Sequence, residues 1–103
     1  MKAFKVHANP SESSRGRFPY VVVLQSHLLA ASHTTVVAPM MLQDGRSGLT
    51  EISVMVRFGD AEHLLLVGEL AAIDSRLLKK PAGDLRQYED QIRRALDRLF
   101  TGF

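Results

Sequence analysis

The sequence predicts an α+β domain: a small, strongly bent antiparallel β-sheet or barrel with one C-terminal α-helix laid across it. Three observations carry that expectation. Short apolar runs separated by turn formers recur from Phe4 to Leu78, and a single amphipathic segment of helical period follows Gly83. The 103 residues, 46% of them hydrophobic, are enough to bury one core and too few for two, so residues 1–103 read as one domain.

Phe4-Lys5-Val6-His7 alternates as a strand, and the polar, turn-forming stretch Asn9 to Arg17 breaks it like a hairpin loop. Tyr20 to Leu24 is a β-branched run after Pro19. Thr34 to Ala38 is a second, ending at Pro39, and both read as strands buried on two sides. Gln43 to Thr50 carries the turn signals Asp44-Gly45 and Ser47-Gly48. Ile52 to Phe58 then alternates as a half-exposed strand, Gly59-Asp60 turns the chain, and His63 to Val67 returns, which makes the clearest hairpin of the sequence. Glu69 to Ser75 passes into Leu77-Leu78, and Lys79-Lys80-Pro81 closes the segment.

The helix is expected from about Leu85, with Asp84 as N-cap and Gln87 completing a capping box. Leu85, Tyr88, Ile92, Ala95, Leu96 and Leu99 form its apolar stripe. Arg86, Glu89, Asp90, Arg93, Arg94, Asp97 and Arg98 fill the solvated face, and Gly102 reads as the stop. The helix runs directly into Phe100-Thr101-Gly102-Phe103. Ends normally fray in water, so two phenylalanines within four residues point to a tail held against its own domain or a partner.

Composition narrows the function classes. There is no run of about eighteen apolar residues and no charged start leading into an apolar signal segment, so a cytoplasmic protein without membrane contact is expected. With no cysteine there are no disulfides, no thiolate chemistry and no zinc-finger sites, and a net charge of +2 is too small to argue for nucleic acid. His7, His27, His33 and His63 lie in separate segments without ligand spacing, so neither a metal nor another cofactor is expected. Asp44-Gly45-Arg46 lacks the spacing of a phosphate loop and reads as a turn, and no catalytic motif stands out. Arg15 and Arg17, flanking Gly16, suit a mobile solvated loop better than a phosphate site.

Phe4-Lys5-Val6, then Tyr20 to Ser26 followed by Leu28-Leu29, and Val36-Val37-Ala38-Pro39-Met40 resemble the CcdB-type toxins in order and spacing. Leu70 to Ile73, Leu77-Leu78, Asp84-Leu85 and the closing run Ala95 to Phe103 continue the resemblance over essentially the whole chain. Between Met41 and Glu51 the match is poor. The resemblance implies the CcdB/MazF-type barrel and a homodimeric, non-enzymatic toxin of a bacterial toxin–antitoxin pair. Such a toxin binds the A subunit of DNA gyrase and traps the enzyme on cleaved DNA. A disordered CcdA-like antitoxin would neutralise it and share in transcriptional autoregulation and plasmid maintenance. The chemistry required is differential binding: a ligand that prefers the cleaved form shifts population toward breaks without a nucleophile.

By the same resemblance, gyrase is met by Ser26, Leu28, Leu29, Asp97, Phe100, Thr101, Gly102 and Phe103, with Leu99 as candidate dimer contact. On helical spacing alone, Leu99 reads as a core residue sooner than as a subunit contact. Thr101 departs from the pattern, since the best-known members carry tryptophan before the penultimate glycine, and weaker or altered poisoning is therefore expected. Two alternatives stand beside this reading. One is a MazF-like endoribonuclease using Arg15, Arg17 and Ser14, and the other is a non-toxic relic that titrates antitoxin.

Overall fold

The computed structural model describes residues 4–25, 33–45 and 52–102. Seven strands form one antiparallel sheet: β1 (Lys5–Ala8), β2 (Tyr20–Val23), β3 (Thr34–Leu42), β4 (Ser53–Phe58), β5 (Ala61–Leu66), β6 (Ala71–Asp74) and β7 (Gly83–Asp84). The spatial order is β4-β5-β3-β2-β1-β7, with β6 also paired to β3. One α-helix, α1 (Glu89–Thr101), follows. The sheet curls so far that its two ends nearly meet, for a Cβ built on Gly83 of β7 would come within 2.8 Å of the Phe58 ring of β4. The bent sheet with one C-terminal helix is the α+β half-barrel that the sequence predicts.

β3 is the spine of this arrangement. Its N-terminal half pairs β6, from Thr34↔Asp74 to Val37↔Ala71, and its C-terminal half pairs β5, from Met40↔Leu65 to Leu42↔His63. The expectation that this strand ends at Pro39 is corrected, since it runs on to Leu42. The reason is positional. Val36 bonds toward β2, through Leu24 N–H on its carbonyl and the Gln25 Oε1 on its amide, so odd-numbered residues of β3 face the other neighbour. Pro39 lies past the last pair with β6 and opposite Leu66, the last residue of β5, so its missing N–H falls at the very end of that ladder. The hairpin expected at Gly59-Asp60 is present, with Phe58 opposite Ala61 and Gly59 at φ 63°, which a two-residue loop with glycine first requires.

The main core lies between the sheet and α1. Val6, Val22, Ala38, Met40, Val56, Leu65 and Val67 meet Leu85, Ile92 and Ala95, with Tyr88, Leu96 and Leu99 half-buried around them. Each fully buried large side chain contributes roughly 1.5–3 kcal/mol. Val21, Val37, Met41 and Leu64 are buried as well, outside that cluster, so β2 and β3 are covered on both faces as expected.

Two local expectations are corrected. Phe4 does not open the first strand. Its backbone sits at φ 65°, costly for a bulky residue, and is held by its N–H on Val23 O (2.6 Å), by Leu85 N–H on its own carbonyl (2.9 Å) and by a buried ring. The α-helix begins at Glu89, not Leu85, because the Gly83-Asp84 backbone is occupied in pairing β1. The Asp84 carboxylate accepts the Arg86 N–H (3.1 Å) just ahead of a 3-10 turn, Arg86–Tyr88, whose N-cap is Leu85 with no side-chain cap bond, and the Gln87 capping box does not form. The stop is as expected: Gly102 at φ 81° donates its N–H to Arg98 O.

The Asn9–Arg17 loop is exposed over most of its length, as its composition suggests, and is organised from within by hydrogen bonds. The buried Asn9 amide donates to Ser14 Oγ (2.9 Å) and Phe18 O (2.8 Å), and its Oδ1 accepts from Ser11 N–H (3.0 Å). Arg15 closes the loop by donating from Nε to Asn9 O (2.9 Å). Asn9→Ala should strand these partners at a cost of about 1–3 kcal/mol. Hydrogen exchange of the Ser11 amide checks this, and unchanged protection would count against it.

Candidate functional site

The apolar stripe fixes which side of α1 faces the sheet, and therefore where the helix ends. Four residues beyond Leu96, Phe100 emerges on the rim with 69% of its surface exposed, the most exposed large apolar side chain among the described residues. Beside it lies an open groove of about 290 Å³ lined by Leu24, Gln25, Val36, Leu70, Leu96 and Phe100. β2 and β3 position Leu24 and Val36 on the helix side, the turn before β6 supplies Leu70, and the i, i+4 pair Leu96 and Phe100 forms the far wall. The groove has almost no hydrogen-bonding capacity. It suits an apolar side chain of a partner and offers nothing for acid–base chemistry.

Of the site residues expected from sequence, Asp97, Phe100, Thr101 and Gly102 lie together and exposed at the helix end. Thr101 turns its hydroxyl back to donate to Asp97 O at 2.5 Å, so it extends the helix's own bonding and projects no ring. Ser26, Leu28, Leu29 and Phe103 lie outside the described residues. Leu99 is half-buried with its inner side on the core, leaving only its remaining surface for a second copy. Leu24, Val36 and Leu70 were not expected here. Their only signal is the β-strand register, which no local pattern of residues reveals.

A second concavity, of about 490 Å³, opens between the β1–β2 loop and the segment after β6, lined by Ala8, Asn9, Pro10, Arg15, Arg76, Leu77 and Lys79. Its cations are largely engaged. Arg15 holds loop carbonyls, and Arg76 forms a two-pronged pair with Asp74 (3.1 and 2.8 Å), whose side-chain and backbone hydrogen bonds hold the Asp74 carboxyl below its ordinary value. Arg17 lies over the Phe18 ring at 5.0 Å. The two described inner histidines are structural: His7 Nδ1 donates to Lys79 O (2.6 Å), and His63 Nδ1 donates to Ala61 O (3.0 Å) among the Tyr20 and Phe58 rings. No helix among the described residues is long and apolar enough to cross a membrane.

A family profile described as "CcdB protein" matches residues 3–102. The chain belongs to the CcdB family. Two solved structures share its fold at low identity. Mycobacterium tuberculosis toxin MazF-mt6 is 14% identical with a TM-score of 0.71, over 93% of this chain and 95% of that one. A structure described as "Crystal structure of Mtb toxin" is 15% identical with a TM-score of 0.68, over 82% and 97%. A search among curated proteins finds no significant match. The CcdB-family profile thus spans both the sheet and the helix end that carries Phe100.

Proposed function

We propose that this CcdB-family protein is the toxin of a toxin–antitoxin module that binds the A subunit of DNA gyrase as a homodimer and holds the enzyme on cleaved DNA. The observation that carries the reading is Phe100, exposed beside an apolar groove at the end of the helix. An aromatic side chain left in water on a rigid helix is the kind of anchor that dominates protein interfaces. It needs no catalytic group, since binding the cleaved enzyme more tightly than the resealed one is sufficient. A disordered antitoxin segment would neutralise it by ordering on its surface.

The test adds purified protein to gyrase with plasmid DNA and, in parallel, to an RNA substrate. Linear plasmid supports the proposal, and RNA fragments without linear plasmid overturn it. Position 101 gives a graded check. A desolvated cation–aromatic contact is worth about 2 kcal/mol, or on the order of thirtyfold in affinity. Thr101→Trp is therefore expected to lower the concentration needed to inhibit supercoiling by roughly that factor. An unchanged titration with intact folding counts against the site.

The cationic concavity favours one other reading, a ribonuclease like the MazF toxin whose fold is similar. Against it, Arg15 is spent on loop carbonyls and the Ser14 hydroxyl accepts from Asn9, so both serve the loop before any phosphate.

A further inference from the structure

The concavity between the β1–β2 loop and the segment after β6 has walls that are fixed from several sides. His7 Nδ1 donates to Lys79 O (2.6 Å), which ties the far wall to β1. On that wall a 3-10 turn, Ser75–Leu77, is capped by Asp74, whose Oδ1 accepts the Arg76 N–H (2.9 Å). The same carboxylate grips the Arg76 guanidinium through Nε and Nη2. Across the gap Arg15 is gripped in the same way, with Nε on Asn9 O and Nη2 on Pro10 O. Each guanidinium is thereby held in one plane and keeps its Nη1 edge in reserve. The Lys79 ammonium has no partner among the described residues. Between these cations the lining is apolar, with Ala8, Pro10 and Leu77, the last 49% exposed. The Asn9 amide is used up inside its own loop.

We infer that this concavity is a binding site for a small phosphate monoester with an aliphatic body. Its volume of about 490 Å³ is that of a small-molecule site. Donors from Arg15 on one wall and from Arg76 and Lys79 on the other suit a dianionic group with three free oxygens better than a carboxylate with two. Leu77 and Pro10 then take the apolar body. No aromatic ring among the described residues lines the site, so a nucleic-acid base has nothing to stack on. The bonds that keep Arg15 from chemistry help binding, because donors ordered before the ligand arrives lose little freedom when it does. The site shares no lining residue with the groove beside Phe100, and the inference does not depend on gyrase.

Hexyl phosphate is the probe, followed through the backbone amide resonances of the full chain. Titration should shift Ala8, Arg15, Leu77 and Lys79 together and leave Leu96 in place. Inorganic phosphate lacks the apolar body and hexanoate lacks the second charge, so each should bind about tenfold or more weakly. Lys79→Met keeps the backbone carbonyl that His7 uses, and it should weaken hexyl phosphate by about tenfold or more. Inorganic phosphate binding as tightly as hexyl phosphate would reduce the site to an unspecific cationic patch and overturn the inference. So would still amides around the concavity, a folded Lys79→Met protein of unchanged affinity, or a six-nucleotide RNA that displaces hexyl phosphate at lower concentration. If Lys79→Met fails to fold, the ligand series on the wild type decides alone. Plasmid linearisation judges the gyrase reading separately.

Discussion

Phe100→Asp is expected to abolish plasmid linearisation by gyrase while leaving the fold intact. Two magnitudes set that expectation. With 69% of its surface in water, the Phe100 ring contributes little to its own domain, so its loss should shift the thermal midpoint by no more than a few degrees, as for other surface substitutions. An aromatic anchor at the centre of an interface contributes about 2 kcal/mol or more, and burying an unpaired carboxylate in its place adds a desolvation penalty. Together these exceed a hundredfold loss by order of magnitude, about 2.8 kcal/mol. The measurement is the concentration of protein that linearises half the plasmid, read beside a thermal melt. Linearisation at the wild-type concentration would remove the helix end from the interface.

Ile92→Ala is expected to have the largest effect on stability. Ile92 has no exposed surface and stands at the middle of the stripe that joins α1 to the sheet. Truncating such a side chain leaves a cavity and costs about 2–5 kcal/mol, against a total of about 5–15 kcal/mol for a domain of ordinary stability. At roughly 4–8 °C per kcal/mol for a domain near this size, the midpoint should fall by about 10 °C or more. Far-ultraviolet circular dichroism during a melt measures it. A fall of less than about two degrees would mean that the helix is held chiefly by something other than its buried face. Because Phe100 rides on the same helix, the variant should also poison gyrase less well near its lowered midpoint, by depletion of folded protein.

The parts of the fold that were legible in the sequence are those whose cause is local. The period of the stripe from Leu85 to Leu99, the alternation of β4, the Gly59-Asp60 turn and the Gly102 stop are each written within a few residues. The parts that were not legible depend on a neighbour distant in the chain. The sequence signals at Asp84 for a helix cap are sound, yet β1 claims that backbone first, and the α-helix starts later. β6 contains Ala71 and Ala72, poor strand formers, and becomes a strand because β3 offers an edge there. The Asn9 loop reads as solvated by composition, whereas one buried amide organises it. The same division runs through the candidate site. Phe100 announces itself as an apolar residue four beyond Leu96 in the last turn of the helix, whereas Leu24, Val36 and Leu70 meet only after β2, β3 and the turn before β6 have been assembled.

Pro39 carries one more consequence. Strands with uniform apolar surfaces tend to slip along their partners, and β3 has to serve three of them. Sliding it by two residues either way would carry the imide nitrogen into a rung where β6 or β5 demands a hydrogen, and sliding by one would turn it toward β2 and exchange the inner and outer side chains. One absent proton thus works as an alignment key: of the neighbouring settings of the spine, the native one puts the imide at the end of the β5 ladder and past the last β6 pair, where the least bonding is lost.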